Sequence, residues 1–226
     1  MSTERPICRG KFLVMSDTFV QGTARGRRAP VQGRSQETVQ RILSAASALL
    51  ARGVAIEALT TASIAVEARL SVGALYRFFP DKQAIVDAIA LRHMGLFQER
   101  LGGQLLLAFP SNPGIFLGQV LDGFVAYLDA NPDFRTVAYG APGSGRSISR
   151  ATRDAEAGSG QVSEMVREFL VEAFDLTPDA EFGWRLRIAT EVGDRLLAFA
   201  FEQSSTEARS RVLLETKALL ASYVFR

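Results

Sequence analysis

The chain has 226 residues, 47% of them hydrophobic, and a formal net charge of +2. A chain of this length can bury a sizeable core without disulfides, and its single cysteine, Cys8, has no partner for an internal one. No apolar run approaches the roughly 18 residues that span a bilayer, and the N-terminus lacks the apolar core of a secretion signal. The sequence therefore predicts a cytoplasmic protein without a membrane partner.

The charge is divided unevenly along the chain. Residues 1–100 contain 14 Lys and Arg against 8 Asp and Glu, whereas residues 101–226 contain 12 against 16. The first part is therefore net positive and the second net negative. This asymmetry favours an anionic partner for the first part only, although a run of charge is also typical of a solvated surface.

Residues 1–34 mix Gly, Arg, Ser, Thr and Pro without a sustained period, which predicts a disordered basic leader. Met15 is an alternative start. The arginines that precede the first predicted helix are candidates for an arm that enters a DNA minor groove or neutralises phosphates, and the alternative is a solvated tail. These candidates are Arg25, Arg27, Arg28 and Arg34.

Four predicted helices follow over residues 35–101. Apolar residues at three- and four-residue spacings predict helix 1 at about 36–52. Two short helices are predicted at about 61–67 and 72–78, and Pro80 ends the second because proline cannot continue the hydrogen-bond ladder. A long helix 4 then begins at about 82 and runs to about 101. The predicted N-caps are Ser35, Thr60, Ser71 and Asp81.

The two short helices form a predicted helix-turn-helix, in which the second helix enters the DNA major groove and the first crosses the backbone. The residues predicted to pack inward are Ile64, Ala65, Ala68, Leu70, Leu75 and Phe79. Those left facing outward near the third helix are Val72, Gly73, Ala74, Tyr76 and Arg77. We assign residues 35–82 to this DNA-binding domain.

The segment resembles the DNA-binding domain of the tetracycline-repressor (TetR) family. An Ile64-Ala65 pair stands six residues before Ser71-x-Gly-x-Leu-Tyr, and Phe79-x-x-Lys82 follows. The resemblance implies that Thr61, Tyr76 and Lys82 hold phosphates and that Val72, Ala74 and Arg77 face base edges. The full predicted DNA-binding set is Thr60, Thr61, Ser71, Val72, Gly73, Ala74, Tyr76, Arg77 and Lys82.

Residue type alone leaves alternatives open at these positions. Tyr76 is also compatible with a half-buried core aromatic, Lys82 with a solvated first-turn lysine, and Arg77 with a surface charge. One residue departs from the family pattern, because Arg69 occupies the turn where the family usually has glycine. A non-glycine residue at positive φ costs of order 1 kcal/mol, and we expect the turn to survive.

The remaining chain, residues 83–226, is predicted to be a helical-bundle domain for ligand binding and dimerisation. No segment alternates at period two, so the predicted fold class is all-α. Thr177-Pro178 is a predicted helix start, Ser204 with Glu207 a predicted capping box, and the Gly140–Gly145 segment a predicted loop. Further helices are predicted near 114–130, 132–139, 147–175, 178–203 and 205–224.

In this region the family resemblance implies an effector cavity among the middle helices and a homodimer formed by the last two helices. Candidate effector contacts are Phe124, Tyr127, Phe169 and Trp184, with packing in the core as the alternative. The apolar residues predicted to support pairing are Val212, Leu213, Leu219, Leu220, Tyr223 and Val224. A dimer requires an inverted-repeat operator with half-sites about 34–36 Å apart.

An enzyme is the main alternative class, but no catalytic triad, metal-ligand cluster or phosphate-binding loop is found. The one histidine, His93, is interpreted as a packing or hydrogen-bonded residue, with a ligand or domain contact as the alternative. The sequence thus predicts no enzyme, no cofactor and no metal. We expect a repressor that binds double-stranded DNA and is released by a small apolar effector. The alternative is a helical ligand carrier or partner-binding scaffold that has lost DNA recognition.

Overall fold

The computed structural model describes residues 29–140 and 159–226. Within these residues the chain is helical and has no strand, so the all-α prediction is confirmed. The described helices are α1 (Ala29–Ala51), α2 (Thr61–Glu67), α3 (Val72–Tyr76), α4 (Lys82–Leu107), α5 (Pro113–Ala130), α6 (Pro132–Tyr139), α7 (Ser159–Phe174), α8 (Phe182–Glu202) and α9 (Thr206–Val224).

Helix α1 begins at Ala29, so the predicted start at residue 36 is wrong, and residues 29–34 are helical rather than part of a disordered leader. Pro30 is compatible with this start, since the first N–H groups of a helix have no intrahelical partner and proline lacks one. Arg34 therefore lies within α1. The predicted arm residues Arg25, Arg27 and Arg28 lie outside the described residues.

The headpiece comprises α1, α2, α3 and residues 82–90 of α4, packed around one apolar cluster. The six residues predicted to face inward in the helix-turn-helix are buried, apart from Leu70, which is partly buried against the same cluster. The inner face of α4 is also as predicted, since Ile85, Val86, Ile89 and Ala90 are fully buried. This packing holds α2 and α3 rigidly on the other two helices.

The C-terminal domain comprises the rest of α4 and α5–α9 around a second, aromatic-rich cluster. The last helices pack against each other and against α5 and α7. No helix in the described ranges is long and apolar enough to cross a membrane.

Two predicted helix starts in the C-terminal domain are wrong. Helix α8 begins at Phe182 rather than at Pro178, because the Asp179 carboxylate accepts the Glu181 amide at 3.0 Å and holds the preceding residues in a turn. The N-cap of α9 is Ser205, whose hydroxyl accepts the Ala208 amide at 3.1 Å. The predicted capping box of Ser204 with Glu207 is therefore displaced by one residue.

Other boundaries differ by a few residues. Helix α3 ends at Tyr76 rather than at 78, and α4 continues to Leu107 rather than stopping near 101. Helix α7 is described from Ser159, so the predicted start at 147 and most of the predicted Gly140–Gly145 loop lie outside the described residues.

Helix α6 joins the two domains. It contacts α1, α4 and α5, and its Val137 is fully buried within the apolar cluster of the headpiece. Its neighbours Phe134 and Ala138 are buried in the cluster of the C-terminal domain. The two cores therefore meet across one short helix.

Candidate nucleic-acid interface

Two N-caps fix the starts of α2 and α3. The Thr60 hydroxyl accepts the Ser63 amide at 3.0 Å, and the Ser63 hydroxyl accepts the Thr60 amide at 3.1 Å, which makes a reciprocal capping box. The Ser71 hydroxyl accepts the Ala74 amide at 3.1 Å. Thr60 and Ser71 belong to the predicted DNA-binding set, and in this structure their hydroxyls position the helices that carry its other members.

The turn between α2 and α3 contains the residue that departs from the family pattern. Arg69 has φ of 54°, so the predicted need for a positive φ is confirmed and the turn forms without glycine. The Leu70 amide donates to the Ala65 carbonyl at 2.9 Å, and the Arg69 amide donates to the Val66 carbonyl at 3.0 Å. These two bonds are a Schellman motif, which directs the chain sharply from α2 into α3.

Arg41 of α1 supports this turn from outside. Its Nη2 donates to the Ala68 carbonyl at 2.9 Å and to the Arg69 carbonyl at 3.4 Å. Arg41 is not among the residues predicted from the sequence. Its partners are backbone groups 27 and 28 residues away, which side-chain spacing within a helix does not reveal.

Helix α3 presents the predicted base-facing residues to solvent. Leu75 is fully buried and anchors the helix, whereas Val72 is 39% and Tyr76 51% exposed. Arg77 is exposed and Ala74 is half-buried. A Cβ atom added at Gly73 would meet nothing within 4 Å, so the outer side of this turn is open. The surface is small and unobstructed, as insertion into a groove requires.

Thr61 and Tyr76 lie together although 15 residues separate them in sequence. The Thr61 Oγ1 and Tyr76 Oη atoms are 3.2 Å apart, at the start of α2 and the end of α3. One hydroxyl donates to the other, which leaves the second hydroxyl proton free to donate to an external acceptor. The arrangement can offer a hydrogen bond to a phosphate oxygen beside the start of a helix, where the dipole also favours an anion.

Lys82 has acceptors within the chain. Its Nζ donates to the Ile56 carbonyl at 2.8 Å and to the Glu57 carbonyl at 3.4 Å, and thus ties the start of α4 to the segment between α1 and α2. An ammonium group has three N–H donors, so one remains for a phosphate. Contact of Lys82 with DNA remains a prediction.

The four candidate effector contacts are not brought together. Phe124 and Tyr127 pack in the aromatic core around Phe97 and Phe134. Phe169 packs at another part of the same apolar cluster, against Phe109 and Phe116, whereas Trp184 is 59% exposed on α8. Their role in effector binding remains a prediction.

A cleft of about 620 Å³ lies between the start of α5, the segment before α8 and the end of α9. Leu176, Phe182 and Val224 contribute apolar surface to it, and Arg185 contributes a charge already paired with Asp179 at 3.0 Å. None of the four candidates lines this cleft. Among the described residues no group of three or more His, Cys, Asp or Glu could hold a metal ion.

Two family models match this chain. The model described as "Bacterial regulatory proteins, tetR family" matches residues 42–89, and the model "Tetracyclin repressor-like, C-terminal domain" matches residues 115–223. The chain belongs to the TetR family. The first match covers the helix-turn-helix and the adjoining parts of α1 and α4, and the second covers most of the C-terminal domain. The TetR-family fold supports a DNA-binding regulator.

Solved structures of TetR-family proteins are similar over most of their length. A TetR-family transcriptional regulator from Streptomyces coelicolor is 26% identical, with a TM-score of 0.65 over 84% of this chain and 98% of that one. A TetR transcriptional regulator from Rhodococcus sp. RHA1 is 20% identical, with a TM-score of 0.54 over 82% of this chain and 95% of that one, and shows the fold alone. No curated protein matches the sequence.

Proposed function

We propose that this TetR-family protein is a cytoplasmic repressor, and not an enzyme, that binds an inverted-repeat operator as a homodimer and is released by a small apolar effector. The observation that carries the proposal is the Thr61 and Tyr76 hydroxyl pair beside the open face of α3. It supports the proposal because a hydroxyl pair able to donate to a phosphate oxygen lies beside the exposed side chains of α3.

The division of labour follows from the chemistry of the exposed groups. The Thr61 and Tyr76 hydroxyls share one hydrogen bond, and the proton left free donates to phosphate and sets the register. Lys82 and the amides at the start of α4 make a second phosphate contact. Val72 and Ala74 suit contact with a thymine methyl group, and Arg77 suits the acceptors of guanine. The predicted arm residues would add sequence-independent contacts.

Dimerisation is supported by an apolar stripe on α8. Trp184, Ile188, Val192 and Phe199 are each exposed by 38% or more, and their spacing puts them on one side of the helix. The α9 residues predicted to support pairing do not all face outward. Leu220 and Val224 are buried in the core of the chain, whereas Leu219 is 48% exposed. The proposed dimer surface is therefore centred on α8, with Leu219 as the exposed contributor from the predicted α9 residues.

Effector release would act through the equilibrium between two positions of the headpieces. In one position the two headpieces match the half-sites, and in the other they do not. An effector that binds the second position more tightly lowers the affinity for DNA, and DNA lowers the affinity for the effector by the same factor. Apolar and aromatic side chains dominate the interior of the C-terminal domain, which favours an apolar effector.

The proposal is tested by selecting binding sites from random double-stranded DNA and measuring affinity by fluorescence anisotropy at two salt concentrations. We expect an inverted repeat and salt-dependent binding. Tyr76→Phe should weaken binding to all sequences by a similar factor, about three- to tenfold, because it removes a phosphate contact. Arg77→Ala should instead relax the preference at one base pair by about 1–3 kcal/mol.

Val66→Ala is the matched control, since Val66 is 78% exposed on α2 rather than on α3 and should not change base preference. Failure of the wild-type protein to select any DNA sequence would contradict the proposal. That result, combined with tight binding of a small molecule or a protein partner, would favour the carrier or scaffold alternative.

A further inference from the structure

His93 occupies the centre of a buried polar cluster where the two domains meet. It lies on α4, with 4% of its surface exposed, and its ring stacks on Phe134 with centroids 4.8 Å apart. Its Nδ1 is 2.9 Å from the Tyr127 hydroxyl, and its Nε2 is 2.9 Å from Asp133 Oδ2. One imidazole thus links α4 to α5 and to α6.

The chemistry of Asp133 assigns one of the two ring protons. Burial acts to raise the pKa of Asp133, but hydrogen bonds and charge from His93, with hydrogen bonds from Ser47 and the Phe134 amide, outweigh it and lower the pKa. Asp133 is therefore ionised and accepts, so Nε2 carries a proton. Burial and the nearby Asp133 charge raise the pKa of Tyr127, so its hydroxyl keeps its proton beside Nδ1.

The cluster continues into the headpiece through Ser47 of α1. The Ser47 hydroxyl accepts a hydrogen bond from Arg92 Nη2 at 3.1 Å, and it lies close enough to Asp133 to help lower the pKa of that carboxyl. A continuous set of polar contacts thus runs from α1 and α4 to α5 and α6. The same α6 inserts Val137 into the headpiece core, so polar and apolar contacts both depend on its placement.

One donor beside this cluster is not satisfied. Arg92 Nε is buried and has no hydrogen-bond partner among the described residues. A buried donor without an acceptor raises the free energy of the arrangement that contains it. The interface therefore combines a well-satisfied side at His93 with a less satisfied side at Arg92.

We propose that His93, Asp133, Tyr127 and Ser47 form a polar joint that fixes the position of the headpiece on the C-terminal domain. His93 then acts on DNA binding as a positioning residue, since it is buried where the two domains meet. The inference rests on the proposed function, because the position of the headpiece matters for a dimer that must match two half-sites at a set distance.

Two variants weaken the joint to different degrees. Ser47→Ala removes only the contact with α1 and introduces a better helix former, so the fold should persist. His93→Phe keeps an aromatic ring against Phe134 and removes both hydrogen bonds. Thr216→Val is the control, because it removes a buried hydroxyl of α9 that bonds to the Val212 carbonyl, away from the headpiece.

The first readout is affinity for the selected operator and for versions with one base pair inserted or deleted at its centre, which moves the half-sites by about 3.4 Å. We expect both joint variants to reduce the preference for the original spacing by about three- to tenfold, and Thr216→Val to leave it unchanged. A loss of stability alone would weaken binding to all spacings equally.

The second readout does not need DNA. Spin labels at Glu57→Cys and Ser210→Cys, in a Cys8→Ser chain diluted with unlabelled protein, report the distance between headpiece and C-terminal domain. We expect a broader distance distribution in both joint variants. Unchanged distributions together with unchanged spacing preference would overturn the joint. Failure of the wild-type protein to select DNA would instead contradict the proposed function, and the distances would still test the joint.

Discussion

Arg69 shows how a single residue can keep a backbone geometry that its side chain disfavours. At φ of 54° it occupies the left-handed region, which costs an L-residue about 1–2 kcal/mol. The two Schellman hydrogen bonds and the Arg41 contacts are made by backbone groups of residues 65–70 and do not depend on the Arg69 side chain. The turn is therefore held by its surroundings, against the preference of the residue itself.

Arg69→Gly should stabilise the protein by about 0.5–1 kcal/mol, since glycine relieves the left-handed strain but loses more entropy on folding. The free energy of unfolding in urea measures the effect. Arg77→Gly is the matched control: Arg77 has φ of −69°, so glycine brings only the entropy cost and should destabilise. Equal effects of the two substitutions would show that Arg69 is not strained.

The buried carboxylate of Asp133 should make the free energy of unfolding depend on pH. Its folded-state pKa is lowered, so the stability it contributes is fully present above the unfolded pKa of about 3.9 and is lost as pH falls through the folded pKa. Asp133→Asn should cost about 1–3 kcal/mol at pH 7, and its deficit relative to wild type should shrink as the pH falls below about 4.

Urea unfolding from pH 7 to pH 3 checks this dependence. Asp122→Asn is the control because Asp122 forms an exposed ion pair with Lys217 at 2.8 Å, which contributes at most about 1 kcal/mol. A deficit of Asp133→Asn that stays constant down to pH 3 would contradict the assignment.

At the scale of elements, local signals predicted the headpiece well. Thr60, Ser71 and Asp81 cap the helices predicted for them, because each side chain bonds to an amide three residues later. The start of α8 was missed because its signal, Thr177-Pro178, competes with the turn that Asp179 makes with Glu181 and Arg185. The contacts at Arg41 and His93 connect distant parts of the chain, and no local pattern encodes them.

The contact between α8 and α9 depends on a glycine. A Cβ atom added at Gly193 would lie 3.0 Å from Leu220 Cδ1, whereas one added at Gly103 in α4 would meet nothing within 4 Å. Gly103→Ala should therefore stabilise by about 0.5–1 kcal/mol through helix propensity. Gly193→Ala should stabilise the protein less than Gly103→Ala does, or not at all, because the Leu220 side chain must move to make room for the new methyl group.

The comparison of the two alanine variants by urea unfolding isolates this packing cost. A gain at Gly193 equal to that at Gly103 would show that Leu220 moves without penalty and that the close approach of α8 and α9 does not require glycine.

At the scale of the whole molecule, the apolar stripe on α8 predicts the oligomeric state. Ile188→Glu places a charge within the proposed dimer surface at a site 44% exposed in the single chain, so it should favour the monomer without unfolding it. Sedimentation velocity should show a dimer for wild type and a monomer for the variant. Glu207→Gln is the control, because it also changes a charge but lies at an exposed position on α9, outside the stripe. It should leave the dimer intact.

The burial of Val137 in the headpiece core limits how modular this protein can be. The residues proposed to contact DNA lie between 60 and 82, but a fragment ending with α4 lacks Val137, which is fully buried in the apolar core that supports them. A chimera that joins this headpiece to the C-terminal domain of another regulator would need to carry α6 or an equivalent apolar residue. Exchange of specificity between relatives is therefore simpler by substituting residues on α3 than by exchanging whole headpieces.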